Sequence, residues 1–199
     1  MDPSQQPILY YDLGSPYAYL AAERADTVLG HTPLMQPILV GGIFVERGFG
    51  SWSETPQREQ GIAEVEARAE RYGLPPLRWP EGWPNNTLKA MRAATWAGGR
   101  GEGHRFALAA FRRAFVEGAD LSRLEEIFAV AEPLGLDPDE LAQAIESTEI
   151  KSALRKATEE AWARGVAGVP CIEIAGEIFY GDDRLYAAQE LIENRSAEV

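Results

Sequence analysis

The apolar residues of this chain recur at strand-like spacing only near its two ends, and at helical spacing between them. Ile8-Leu9-Tyr10-Tyr11 is a short continuous apolar run, the pattern of a strand covered on both faces. Asp12-Leu13-Gly14 breaks it. Ser15-Pro16 then opens a helix, with serine as N-cap and proline at the first helical position. Tyr17, Leu20, Ala21 and Val28 give that helix a buried face, and Gly30 ends it. Leu34 to Val40 predicts a second strand that ends or kinks at Pro37. Strand, helix, strand in that order favours a parallel pair with a right-handed crossover.

The middle of the chain reads as helix. Thr55-Pro56 starts one, with Ile62, Val65, Ala69 and Tyr72 on a face and Gly73 as the stop. A loop rich in proline and tryptophan covers residues 74–86. Asn86 predicts the cap of a helix carrying Leu88, Met91 and Thr95. Leu108, Phe111 and Phe115 mark another. Ser122 and Glu125 stand at capping-box spacing before Ile127 and Phe128, and Asp137-Pro138 with Glu140 repeats the start signal. Ile150, Leu154, Ala157 and Ala161 define a long helix closed by Gly165. The period then drops to two. Cys171 to Ile174 and Glu177 to Tyr180 read as strands joined at Ala175-Gly176, and a last helix runs from Asp183 to Ile192. The order is βαβ, a helical block, then ββα.

At 199 residues the chain fits one domain, or one domain with a large insertion. The net charge of −12 argues against a nucleic-acid partner, which needs clustered Lys and Arg. With one cysteine, Cys171, there is no intrachain disulfide, no CxxC pair and no zinc site built mainly from cysteine. Low cysteine use, no membrane-length apolar run and no signal-peptide pattern over residues 1–7 predict a cytoplasmic location without membrane attachment. His31 and His104 have no second ligand spaced to hold a metal with them, so no metal is expected. Trp162 falls in a helical pattern as a core or interface residue.

Three motifs carry chemistry. In Tyr11-Asp12-Leu13-Gly14-Ser15-Pro16-Tyr17-Ala18, a strand leads into a helix N-terminus with Ser15 at the junction. The first-turn N–H groups lack intrahelical partners and the helix dipole favours negative charge there. Ser15 either caps the helix or donates a hydrogen bond to a bound thiolate, worth about 1.5–3 kcal/mol to a charged acceptor. With the dipole this lowers a thiol's pKa by roughly one to three units. In Gly165-Val166-Ala167-Gly168-Val169-Pro170-Cys171, the proline precedes a strand. A trans bond is the ordinary case; a cis bond turns the Val169 backbone outward to pair with an extended peptide. In Phe179-Tyr180-Gly181-Asp182-Asp183-Arg184-Leu185, Asp183 is either an N-cap or the receiver of a ligand's ammonium group.

These motifs, in this order, resemble the 2-hydroxychromene-2-carboxylate isomerases and the related kappa-class glutathione transferases, of the DsbA-like branch of the thioredoxin superfamily. The resemblance is strongest over residues 8–22, Gly41-Gly42-Ile43-Phe44, Tyr72 to Leu88, and Gly165 to Leu185. It implies a thioredoxin fold split by an all-helical insertion, with residues 1–45 and 160–199 forming the thioredoxin-like part and 46–159 the inserted domain. Disulfide-forming relatives read Cys-Pro-X-Cys where this chain reads Ser15-Pro16-Tyr17-Ala18, so dithiol exchange has no nucleophile here.

The resemblance further implies glutathione, or another small thiol, as cofactor. Ser15 activates the thiol, Val169 and a cis Pro170 hold its cysteinyl part, and Asp183 with Asp182 binds the γ-glutamyl end. Pro16, Tyr17, Trp79, Trp83 and Asn86 belong to the pocket of an aromatic substrate. The family's lysine and asparagine after Gly-Gly-Ile-Phe are Val45 and Phe49 in this chain, and Arg47 is the candidate replacement charge. Asp182 stands where serine or glutamine is common, and an acid there repels the γ-glutamyl carboxylate. Cys171 reads as a small buried strand residue, with a reactive thiol as the alternative. The implied activity is a glutathione-dependent isomerase acting on an aromatic ketoacid. The alternatives are a kappa-like transferase and a non-catalytic thiol- or peptide-binding protein. The resemblance implies a homodimer.

Overall fold

Strand β1 (Ile8–Tyr11) lies inside a four-stranded sheet of order β2-β1-β3-β4, which is why its residues are apolar on both faces. It runs parallel to β2 (Leu34–Pro37) and antiparallel to β3 (Cys171–Ile174), which pairs antiparallel with β4 (Glu177–Tyr180). This computed structural model describes residues 6–47 and 50–197, and only the backbone of 44–47, 196 and 197. Side chains alternate across the sheet. Leu9 and Tyr11 join the main apolar cluster with Met91, Phe111 and Phe115 of the inserted helices. Tyr10 and its register partner Cys171 face the other way, into a smaller cluster with Ile38, Ile43 and Val166.

Helix α1 (Pro16–Leu29) crosses from β1 to β2 and ends at Gly30 in the left-handed conformation. Between β2 and β3 the chain forms α2 (Val40–Arg47), a short 3-10 turn at Trp52–Glu54, α3 (Arg58–Arg71), α4 (Leu88–Gly98), α5 (Gly103–Phe115), α6 (Leu124–Ala131), α7 (Pro138–Glu146) and α8 (Thr148–Ala163). The expected domain divisions, after residues 45 and 159, fall within α2 and α8. A 3-10 turn at Asp182–Arg184 leads into α9 (Leu185–Ala197), so the last helix starts two residues later than expected and runs further. The fold is the thioredoxin-like α/β arrangement, βαβ and ββα around a helical insertion.

Local start signals succeed where the residue stands at the boundary itself. Asp137 accepts from the N–H groups of Asp139 and Glu140 at 2.9 and 3.0 Å and caps α7. Ser122 does not cap α6. The N-cap is Arg123, in extended conformation and without a side-chain bond; the Ser122 N–H donates to Asp120 Oδ1 at 2.9 Å, and Glu125 pairs with Arg123. An aspartate two residues upstream has captured the serine's backbone in a turn, shifting the helix start by one residue. Ala175 and Gly176 both take positive φ (50° and 85°), the signature of a tight two-residue hairpin turn.

Candidate active site

The β1–α1 junction is organised by Asp12. Its side chain is 6% exposed. Oδ1 accepts from the Gly14 N–H at 2.9 Å and the Thr87 hydroxyl at 3.1 Å, and Oδ2 accepts from the Val40 N–H at 3.1 Å. Burial pushes its carboxyl pKa up, against the pull of those three bonds. One carboxylate thus joins the β1–α1 loop, the start of α2 and the start of α4. The Ser15 N–H donates to the Asp12 carbonyl at 2.9 Å, closing the turn that presents the serine.

Ser15 caps α1, its Oγ accepting from the Ala18 N–H at 3.2 Å. Pro16 follows in the first turn, where its missing N–H leaves no donor unpaired. The capping bond uses a lone pair of Oγ. The hydroxyl proton stays available to a second acceptor, so capping and donation are compatible.

Beside this junction lies an open cleft of about 590 Å³, lined by Asp12, Gly14, Pro16, Trp52, Trp83 and Asn85 among others. Its wall is aromatic. Trp52 meets Tyr17 edge-on at 5.9 Å and lies 5.4 Å from Trp83. Trp83 Nε1 donates to the Gly14 carbonyl at 3.2 Å, and Arg58 donates to the Trp83 carbonyl at 2.8 Å. Trp79 lies tilted against Trp83, ring centroids 4.7 Å apart, and donates to Glu66, so it supports the wall rather than lining the cleft. Asn86 is exposed, and its Oδ1 accepts from the Leu88 N–H at 3.0 Å at the start of α4. The neighbouring Asn85 lines the cleft instead, with Nδ2 donating to the Glu81 carbonyl at 3.0 Å and Oδ1 buried without a hydrogen-bond partner. The N-cap of α4 is Thr87, without a side-chain capping bond, rather than the expected Asn86; Asn86 closes an Asx turn just before it and the preceding Asn85 faces the cleft.

The Val169–Pro170 peptide is cis, as is Trp83–Pro84. Among the described residues no hydrogen bond engages the backbone N–H or C=O of Val169. Cys171 is fully buried, its Sγ donates to the Gly168 carbonyl at 3.2 Å, and burial pushes its thiol pKa up to about 12. It is therefore an un-ionised core residue at neutral pH.

Asp182 is 1% exposed, and both its oxygens are engaged: Arg68 donates to Oδ1 at 2.7 Å and the Tyr72 hydroxyl to Oδ2 at 2.9 Å. Arg24 donates to its carbonyl at 3.1 Å and lies over the Tyr72 ring at 3.5 Å. Burial pushes the Asp182 carboxyl pKa up, while the Tyr72 bond and the Arg68 charge oppose it. Asp183 is exposed and makes no hydrogen bond among the described residues, so it does not cap α9.

Two contacts bring the three motifs together. The Gly181 N–H donates to the Pro170 carbonyl at 3.0 Å, joining the Asp182–Asp183 turn to the Val169–Pro170 loop. Arg68, paired with Asp182, lies 5.3 Å from the Tyr17 ring, two residues beyond Ser15. The side chains of Val45 and Arg47, and Phe49 as a whole, lie outside the described residues. Sequence reading passed over Asp12, Trp52, Asn85, Thr87 and Arg68. No helix among the described residues is long and apolar enough to cross a membrane.

A four-stranded β2-β1-β3-β4 sheet with a helical block between β2 and β3, a serine capping the first helix and a cis proline just ahead of β3 defines the DsbA-like class of thioredoxin folds. The DSBA-like thioredoxin domain family matches residues 8–193. The chain is 31% identical over 186 residues to the 2-hydroxychromene-2-carboxylate isomerase of Sphingobium xenophagum, spanning 88% of this chain and 92% of that one. The chain belongs to the DsbA-like thioredoxin family, in the branch of the 2-hydroxychromene-2-carboxylate isomerases.

Solved structures agree on the fold. A 2-hydroxychromene-2-carboxylate isomerase superimposes with a TM-score of 0.87 at 21% identity, over 96% of each chain. A probable DsbA oxidoreductase from Streptomyces coelicolor gives 0.76 at 17% identity, over 98% of this chain and 91% of that one. A cytosolic disulfide reductase from Pseudomonas aeruginosa, solved with GSH, gives 0.65 at 14% identity, over 96% and 99%.

Proposed function

We propose that this protein is a glutathione-dependent isomerase acting on an aromatic ketoacid of the 2-hydroxychromene-2-carboxylate type. The observation that carries the reading is the Ser15 hydroxyl, which caps α1 through a lone pair and keeps its proton for a sulfur; Ser15 itself does not line the cleft, but its neighbours Gly14 and Pro16 do. The residues present fit glutathione. Val169 has unengaged backbone groups for an extended peptide, Asp183 has an exposed carboxylate for an ammonium group, and Arg68 neutralises the Asp182 charge that opposes a γ-glutamyl carboxylate. When bound, glutathione supplies a nucleophilic thiolate that adds reversibly to a conjugated double bond.

The protein's own part is positional and electrostatic. Ser15 and the α1 dipole hold the sulfur ionised. Trp52, Trp83 and Pro16 offer flat apolar surface to an aromatic ring. Asp12 fixes the loop that aims Ser15. By family likeness the enzyme is a homodimer, which light scattering on the purified protein tests; its low cysteine use fits a reducing compartment, the cytoplasm.

Incubation with glutathione and 2-hydroxychromene-2-carboxylate should give a glutathione-dependent absorbance change, and Ser15→Ala should slow it at least about tenfold, equivalent to about 1.4 kcal/mol. No change in absorbance with the wild-type protein would sink the proposal. Asp12 and Glu54 place carboxylates on the cleft, which favours a neutral aromatic electrophile and hence a kappa-like transferase as the second reading. Accumulation of a stable glutathione conjugate would select it.

A further inference from the structure

Gly61 stands in the first half of α3, where glycine is among the poorest helix formers. Its backbone is ordinary helix, so no left-handed conformation calls for it. Trp52 does. A Cβ at position 61 would stand 2.3 Å from both Cε3 and Cζ3 of the indole, far inside contact distance. The bare backbone lets the ring lie against the helix. From that seat it meets the edge of Tyr17 and tilts against Trp83, the two contacts that hold it on the cleft wall.

We infer that Gly61 and Trp52 act as one specificity-determining unit: the glycine seats the indole, and the seated indole is the face on which the cleft receives a flat aromatic ring. A flat ring stacks on an indole with polarised edges and faces matched, whereas a puckered saturated ring of similar size meets it with few atoms. The inference rests on reading this cleft as the substrate site. Its test needs neither glutathione nor turnover, so a failure of the isomerase reaction leaves it standing, and a working reaction does not rescue it.

Calorimetric titration with 1-naphthol and with decahydro-1-naphthol reads the preference for a flat ring. The wild type should favour 1-naphthol. Trp52→Ala should cut that preference about fivefold to tenfold, the size of an aromatic stacking contribution. Gly61→Ala, which displaces the ring, should lose a similar factor. The double variant should bind no worse than Trp52→Ala, because the new methyl group then has no ring to meet. It should also be at least as heat-stable as Trp52→Ala, since alanine is the better helix former. That variant keeps the test open should Gly61→Ala alone not fold. The inference is overturned by any of four results: wild-type affinity and preference in Gly61→Ala, an unchanged preference in Trp52→Ala, a double variant that does not fold, or a wild type that binds neither probe.

Discussion

Two buried aspartates sit where a strand hands the chain to a helix, one on the cleft and one away from its lining, and the protein holds them by different means. Asp12, after β1, has three neutral donors and no cation in salt-bridge contact among the described residues. Asp182, after β4, is met by the Arg68 guanidinium and the Tyr72 hydroxyl. Burial pushes both carboxyls up. The difference is in what opposes it. Dipoles from three segments make Asp12 a clasp for loops that must stay in register around the cleft. A full charge 114 residues away makes Asp182 an anchor between α3 and the β4–α9 turn. Asp182 therefore depends on one cation and one hydroxyl, and Asp12 on three neutral donors.

Breaking the anchor should have the largest effect. Arg68→Ala leaves a buried carboxylate without its cation and should cost about 3 kcal/mol, read by denaturant unfolding. Replacing both members, Arg68→Met with Asp182→Asn, should recover much of the loss. A double variant as unstable as the single one would show that the pair's charge is not what matters. Asp12→Ala should cost about 2 kcal/mol by leaving the Gly14 and Val40 N–H groups without an acceptor, and Thr87→Val about 1 kcal/mol by removing one of the three donors.

The comparison also has a pH arm. A carboxyl whose folded pKa is raised holds its proton more tightly in the folded state. Its contribution is fully present below the unfolded value, near 4, and is lost as pH rises through the raised one. The stability difference between Asp12→Asn and wild type should therefore move in the variant's favour as pH rises from about 4, above any constant offset from the lost acceptor oxygen. Parallel curves for the two proteins would contradict the raised pKa at Asp12.

Smaller effects belong to half-buried Ser15 and exposed Asp183. Ser15→Ala removes one cap and should cost about 1 kcal/mol of stability, well short of its effect on turnover. Asp183→Asn should change stability by less than about 0.5 kcal/mol, since the side chain makes no hydrogen bond, while weakening glutathione binding measured by calorimetry.

Much of the framework was legible in short stretches of chain. The β1 run, the Ser15-Pro16 start, the Pro37 end of β2 and the Ala175-Gly176 turn each depend on neighbours within a few residues, and each appears at its expected place. Legibility failed where two local options competed, as when Asp120 captured the Ser122 backbone and when the Asx turn before α4 engaged Asn86 and left Asn85 to the cleft. It failed entirely for Trp52. Nothing near that residue says that a glycine nine positions on clears its seat, and the ring contact with Trp83 spans a loop and a helix.

The sequence by itself determined the strands, the α1 and α7 starts and the serine at the head of α1, because hydrophobic period and capping are decided by residues one turn or one pleat apart. Only the tertiary structure decided which buried carboxylate meets a cation and which tryptophan faces the cleft. Arg24 reaches the carbonyl of Asp182 across 158 residues, and at that separation the fold chooses which donors and charges come within hydrogen-bonding distance.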